Sequence, residues 1–425
     1  MKFGYKRLFA ALTAAAVAVS MCGCMDNGKI MTVDGMEINN GIYLYYQQSA
    51  YSDAQNKINT ARQEKLDNML DEAINDTSSE SSESSSSSSS SSEKLSYFAE
   101  SIDGKTTAQW VNDETMRLVK QYVAVQRLCE QKGIALDEIE KSEINAQAKS
   151  VWEDVDNYFL YFYGYDTLGK YYESMGISRD SYKLINNVSK LKDKLFSAYY
   201  DKDGEKPVSD EEFNSFAKEN YAAAVMIEFK YEDANGEKLT SDSDKKAIDD
   251  KAEEYAKRIS GGESIADVQY DIDLQAEKDT ALPQIESYYD KNPVEGKTKE
   301  EYVEEELAKL SVEKKDENDL IKYYQKENND LDEEVSEFIF KTKDDGKAAT
   351  LKTDDCVYVI TRLDILAQAD WLEDSRRPVL INIKGEEYEN LLDNCAKDYV
   401  VEANSYLVDT KYKPERLEVP SSASN

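Results

Sequence analysis

The chain has 425 residues, enough for roughly two or three domains with cores of their own. It carries 86 acidic against 52 basic side chains, a net charge of −34, and no histidine. That balance disfavours nucleic acid and other polyanions as partners and would attract basic or unfolded polypeptide segments instead. The missing imidazole removes the usual base of a serine or cysteine nucleophile and a usual ligand of catalytic zinc. No G-x-x-x-x-G-K-[ST] or G-x-G-x-x-G run is present, so nothing supports a glycine-rich nucleotide loop, and no cofactor is expected. Carboxylates are too abundant for any pair to single itself out as the acid and base of a glycosidase.

Lys2, Lys6 and Arg7 precede an uncharged apolar stretch from Leu8 through Val19. This is the pattern of a signal peptide, and it falls short of the roughly 20 apolar residues of a permanent span. The run Met21-Cys22-Gly23-Cys24 that follows resembles the lipobox of bacterial lipoproteins. The resemblance implies removal of residues 1–23 and acylation of Cys24, which would hold the protein on the extracytoplasmic face of the cell membrane. Cys24 suits the motif better than Cys22, because small Gly23 rather than bulky Met21 then precedes the cut. An ordinary secretory signal with incidental cysteines is the alternative. Cys129, Cys356 and Cys395 are left, an odd number at wide spacing with no C-x-x-C. They do not suggest a disulfide framework or a zinc site, and their apolar neighbours predict buried free thiols.

The mature chain opens with two short apolar runs around Asp34-Gly35, which predict a hairpin. Ile42, Tyr45, Tyr46 and Ala50 start a helical spacing that resumes at Leu66, Met69, Leu70, Ala73 and Ile74. From Thr77 through Ser92 the chain is nearly all serine, broken by Glu80 and Glu83, and has nothing to bury; a flexible tether over 77–93 is expected there. Met116, Val119, Tyr122, Val123 and Leu128 predict a further helix that Gly133 stops in a left-handed turn. Asp137 with Glu140 reads as a capping box for a helix carrying Ile144, Ala148, Val151, Trp152 and Val155 into an aromatic cluster. Within that cluster Tyr158, Phe159, Tyr161, Phe162 and Tyr163 either form core or line a surface for a polypeptide partner. Met175 through Tyr182 predicts a turn and a capped helix start, with Ile185, Val188, Leu191 and Leu195 on one face.

These segments follow a known order. The lipobox, Val33-Asp34-Gly35 with Ile38, Lys132-Gly133-Ile134 leading to Asp137-Glu138-Ile139-Glu140, Met175-Gly176-Ile177-Ser178-Arg179-Asp180-Ser181-Tyr182, and Pro207-Val208-Ser209-Asp210-Glu211-Glu212-Phe213 together resemble the PrsA/SurA family of extracytoplasmic foldases. The resemblance implies a mainly α fold with a smaller α+β insert: a helical SurA/trigger-factor-like chaperone domain built from both chain ends, interrupted by a parvulin-like prolyl isomerase domain. The expected organisation is a signal peptide over 1–23, a helical domain over 24–206 containing the tether 77–93, and a degenerate parvulin-like domain over 207–366. A C-terminal helical segment over 367–419 would pack back on the first domain, and 420–425 would be a loose tail.

The insert can be followed by its own pattern. Ala224 through Tyr231 alternates as a strand, a helix is predicted from about Asp244 to Ile259, and Gly261-Gly262 precedes a short helix start. Leu331 to Phe340 and the strand Cys356-Val357-Tyr358-Val359-Ile360 resemble the far end of a parvulin domain, with Cys356–Ile360 as its closing strand. The middle departs: a charged, mostly helical run from Glu300 to Asn328 replaces the family's glycine-rich segment. Where the resemblance would put histidines on the first and last strands stand Glu228 and Tyr358, so isomerase activity is expected to be weak or absent. Asp355 and Cys356 read as strand residues beside a turn rather than a remnant site. The expected partners are unfolded or partly folded exported proteins, and the membrane through the lipid. A divergent isomerase and a passive envelope lipoprotein are the two alternatives.

Overall fold

The structure, a computed structural model, describes residues 28–76, 96–233 and 236–418, with side chains of the first helix described as far as residue 69. Cys24, the apolar leader, the serine run over 77–93 and the tail 420–425 lie outside the described residues. The architecture is mainly α with small antiparallel sheets. The chain divides into two units, one formed by the chain up to Pro207 together with the chain from Gly385 onward, the other by Val208–Lys384.

In the first unit, β1 (Lys29–Val33) and β2 (Met36–Asn39) close over Asp34 and Gly35, both at positive φ, 49° and 77°. This is the mirror-image turn that an Asp-Gly pair accommodates best. The Asn39 side chain accepts from the Ile42 N–H at 2.9 Å and starts α1 (Asn40–Asp76). A minimal hairpin of β3 (Ser101–Ile102) and β4 (Lys105–Thr106) leads into α2 (Thr107–Lys132), which a Thr106–Gln109 capping box opens and Gly133 at φ 68° closes. Next come α3 (Glu138–Glu153), opened by the Asp137–Glu140 capping box, then α4 (Asn157–Tyr163), α5 (Leu168–Ser174) and α6 (Arg179–Tyr200). A Cβ on Gly169 of α5 would sit 2.8 Å from the Trp152 Cα, so only glycine lets α5 lie this close to α3.

The second unit opens with α7 (Asp210–Asn220), capped by Ser209, running directly into β5 (Tyr221–Lys230). It continues through α8 (Asp242–Ser260), α9 (Ile265–Lys291), α10 (Lys299–Leu307), α11 (Glu317–Leu320), β6 (Lys322–Gln325), α12 (Glu333–Lys341), β7 (Ala348–Lys352) and β8 (Cys356–Leu363). The sheet order is β6-β5-β8-β7, antiparallel throughout. Two strands here depart from the sequence reading. β6 falls inside the run expected to be mostly helical, and β7 is an outer strand that the sequence reading did not name, beside β8, which closes the unit in chain order as expected. Both are short outer strands without a long apolar run, so their pairing with β5 and β8 decides their conformation rather than local pattern.

Both faces of this sheet are covered. Val225, Ile227, Val357 and Val359 pack on Ala252, Tyr255, Ile259 and Val268 from α8 and α9. On the other face Ala222, Ala224 and Ile360 meet Val335 and Ile339 of α12. Full burial of side chains of this size stabilises by roughly 1.5–3 kcal/mol each. The nearly buried Arg362 donates through Nη1 to the carbonyls of Phe340 and Thr342, both at 3.0 Å, and so caps the C-terminal end of α12.

Helix α13 (Ala369–Ala396) carries the chain out of the second unit. That unit ends at Lys384 and not at the expected 366. The reason lies in the first turns of α13: Trp371 packs on Tyr221 of β5 and Tyr323 of β6, ring centroids 5.2 and 5.7 Å apart, and Asn382 donates to the Tyr221 hydroxyl. Beyond Gly385 the chain rejoins the first unit. Tyr388 donates to the Lys192 carbonyl at 2.8 Å, Gln121 donates to Glu389 and Asp393 at 2.9 and 2.8 Å, and β9 (Val401–Ala403) pairs antiparallel with β1, Met31 opposite Ala403 and Val33 opposite Val401. Buried Gln47 donates to the Tyr412 carbonyl at 2.6 Å, and the Glu418 carboxylate accepts from the Tyr97 N–H at 2.9 Å. Both chain ends therefore build one body.

Candidate functional site

The aromatic cluster divides between core and surface. Seven residues make α4, and almost all are large and apolar, so one turn buries while the next cannot. Asp156 caps the start, its Oδ1 accepting from the Tyr158 and Phe159 N–H groups at 2.8 and 3.3 Å; Gly164 at φ 73° closes the end. The Asp156 N–H also donates to the Asp166 carbonyl at 3.0 Å, so the segment leaves and re-enters the body at one point. Phe159, 5% exposed, is the anchor, packed on Tyr163 and Tyr171 with centroids 5.4 Å from each. Burial pushes the phenols of both tyrosines up, Tyr171 to about 12, so both stay neutral.

Around that anchor the remaining side chains face water. Tyr161 is 85% exposed, Phe162 62%, Tyr158 48% and Leu160 47%, with Val155 at 67% just before the helix. Tyr158 and Phe162 touch at 4.7 Å between centroids, and Tyr161 meets Phe162 edge-on at 5.0 Å, so the rings form one contiguous surface. Of the aromatics singled out from sequence, Phe159 and Tyr163 belong to the packed side and Tyr158, Tyr161 and Phe162 to the open side. Sequence reading assigned Val155 to the preceding helix, which ends at Glu153 and leaves it exposed, and did not single out Leu160 or Tyr171. The bracketing Asp156 and Gly164 signal a short helix with its own caps, but nothing in the spacing of its side chains says which of them face water.

In the second unit, Glu228 and Tyr358 are direct partners across β5 and β8. They lie on the α12 side of the sheet, where Tyr358 packs with Met226, Leu351 and Phe338 around the buried cluster while Glu228 is exposed. A hydrogen bond to the Cys356 thiol, then burial, then the Glu228 and Asp332 charges, push the Tyr358 phenol well above its ordinary value. The pair therefore offers a neutral phenol and a carboxylate. Cys356 begins β8 buried, its Sγ 3.3 Å from the Thr353 hydroxyl, and Asp355 is an exposed partner of Lys238. Cys129 is also buried, which raises its thiol to about 11, whereas Cys395 is only half-buried, contrary to expectation, beside the Tyr399 hydroxyl at 3.4 Å. A groove of about 620 Å³ in the insert runs between α9 and α10, over Leu282, Val303 and Leu307 and flanked by Lys278, Glu300 and Glu304, on residues other than the Glu228–Tyr358 pair. Among the described residues no helix is long and apolar enough to cross a membrane.

No family model and no curated protein matches this chain. Among solved structures it is similar to the crystal structure of foldase protein PrsA from Streptococcus pneumoniae, at 15% identity over 74% of this chain and 96% of that one, with a TM-score of 0.29.

Proposed function

We propose that this chain is a lipid-anchored extracytoplasmic chaperone that holds unfolded or partly folded exported polypeptides on the α4 surface, with little or no prolyl isomerase activity. The observation that carries this reading is the exposed run Tyr158, Leu160, Tyr161 and Phe162 on a helix capped at both ends and pinned by Phe159. Full burial of a Phe side chain is worth roughly 1.5–3 kcal/mol, and Phe162 at 62% exposure collects well under half of it. Folding alone leaves much of that gain unused. A partner can use it, because contiguous exposed apolar patches mark interaction sites and tyrosine offers a large contact area with few torsions to immobilise. Apolar burial is non-directional, which suits clients that share no sequence, and it needs no cofactor.

The anchor at Cys24 would place this surface where exported chains emerge, and the net charge of −34 keeps so apolar a surface in solution. Prolyl rotation has a barrier of about 20 kcal/mol, and the Glu228–Tyr358 pair has no imidazole beside it to lower that barrier, since the chain has no histidine.

A paired assay on the chain from residue 24 onward, with Cys24→Ser, tests the reading; every described residue is retained. Suppression of aggregation of an unfolded client without isomerisation of a prolyl peptide is the expected result. Isomerisation well above the spontaneous rate would overturn the catalytic half, and silence in both assays would leave a passive lipoprotein. For the anchor, fatty-acid labelling of the parent and release of the Cys24→Ser chain into the medium are expected; an unlabelled parent would remove it.

A further inference from the structure

We infer that the α4 surface selects polypeptide segments in which a lysine or arginine lies beside apolar residues, and disfavours acidic segments of equal hydrophobicity. This rests on the reading of α4 as the client site and specifies which clients it takes. The first observation concerns the rings. Elsewhere cations already sit on aromatic faces: Arg62 over Tyr97 at 5.0 Å, Lys132 over Tyr199 at 4.3 Å and Lys411 over Tyr412 at 4.9 Å. Among the described residues no cation lies over Tyr158, Tyr161 or Phe162, although these are the most accessible rings of the first unit's packed clusters. Their faces are open to a cation from a partner.

The second observation concerns the carboxylates that immediately precede α4 in the chain. Asp154 and Asp156 flank exposed Val155. Asp154 accepts from the Ser150 hydroxyl at 2.6 Å and Asp156 from backbone N–H groups, and among the described residues neither has a basic side chain in ion-pair contact. Glu153 and Asp166 nearby are, by contrast, matched by Arg179 and Lys170. An apolar ring surface on a helix entered through unmatched negative charge complements a basic, apolar segment. It does not complement a second copy of a chain with a net charge of −34, nor an anionic bilayer, both of which it repels.

The test measures binding of two labelled peptides by fluorescence anisotropy, identical in phenylalanine and leucine content, one with interspersed lysines and one with glutamates. The protein is the chain from residue 24 onward with Cys24→Ser. The lysine peptide is expected to bind about tenfold more tightly at low salt, on the order of one exposed cation–π contact and one surface ion pair together, with the preference shrinking as salt is added. Asp154→Asn, which keeps the side-chain shape, should reduce the preference. Tyr161→Leu with Phe162→Leu keeps an apolar surface while removing the two most exposed of its three open rings, and should bind both peptides with most of the preference gone.

Equal affinity for the two peptides would overturn the selectivity while leaving α4 as a client site. A preference undiminished in the leucine variant would assign it to the general field of the chain and overturn the role of the rings. Binding of neither peptide would overturn the client-site reading itself. Unchanged thermal unfolding of each variant separates these outcomes from misfolding.

Discussion

Tyr161 and Tyr358 are the same side chain in opposite situations. Tyr358 stands in an interior strand, packed with Met226, Leu351 and Phe338 under α12, its hydroxyl held by Cys356. Tyr161 stands on a two-turn helix with 85% of its surface in water, although Phe159, two residues earlier, is 5% exposed. In the sheet the aromatic and aliphatic side chains are spent on folding. On α4, Phe159 and Tyr163 serve folding, and the remaining apolar side chains are held out by a helix capped at both ends. Apolar surface left open on a well-fastened element is what the proposed client binding rests on; in the sheet, Tyr358 packs against a buried cluster while Glu228 opposite it is exposed.

The contrast is broken most forcefully at the anchor. Phe159→Ala should cost about 3–5 kcal/mol, the range for deleting a buried aromatic side chain, measured by chemical unfolding, and it should take client holding with it because α4 loses its fixed position. Ile360→Ala, at a fully buried position of β8, should cost about 2–5 kcal/mol yet leave suppression of aggregation intact at temperatures where the chain stays folded. Equal loss of holding in both variants would mean that α4 is not the separate contact surface described above. Gly169→Ala drives a methyl against Trp152 and should destabilise by about 1–3 kcal/mol, with the fluorescence of Trp152 as the local probe.

The smallest effects on stability sharpen the comparison instead. Tyr161→Ala with Phe162→Ala removes exposed surface and should move stability by no more than about 0.5 kcal/mol per site, while aggregation suppression falls severalfold; a large drop in unfolding midpoint would show that these rings are structural after all. Acid should act on the first unit through its pairs. Lys194, 2.7 Å from Glu140, holds that carboxyl below the ordinary glutamate value, with the Asp137 backbone N–H adding to it. A lowered folded-state pKa means stability fully present above the ordinary value and lost as pH falls through the folded one, so Glu140→Gln should flatten the acid limb of a pH–stability curve. Asp53 is shifted the opposite way by burial and by Glu114, so its charge opposes folding at neutral pH; Asp53→Asn should raise the unfolding midpoint there and converge with the parent as acid protonates Asp53.

Much of this molecule is legible from residues a few positions apart. The Asp34-Gly35 turn, the Asp137–Glu140 capping box, the left-handed stop at Gly133 and the alternation of β5 all rest on local chemistry, and each stands in the structure where the pattern places it. The absence of histidine, and with it the neutral phenol and carboxylate at the Glu228–Tyr358 pair, needs no coordinates either. The outer strands β6 and β7 were not legible, since short segments of mixed polarity become strands only when β5 and β8 offer them a partner. The end of the insert was not legible because Trp371 and Asn382 are held by Tyr221, some 150 residues away. Nor could periodicity divide the α4 aromatics, because a hydrophobic face is defined against a polar one and α4 has almost none. Sequence by itself determined the caps, the turns, the charge and the missing imidazoles. Which rings turn inward depended on Tyr171, brought beneath Phe159 by the close approach that Gly169 permits, and only the tertiary structure could decide that.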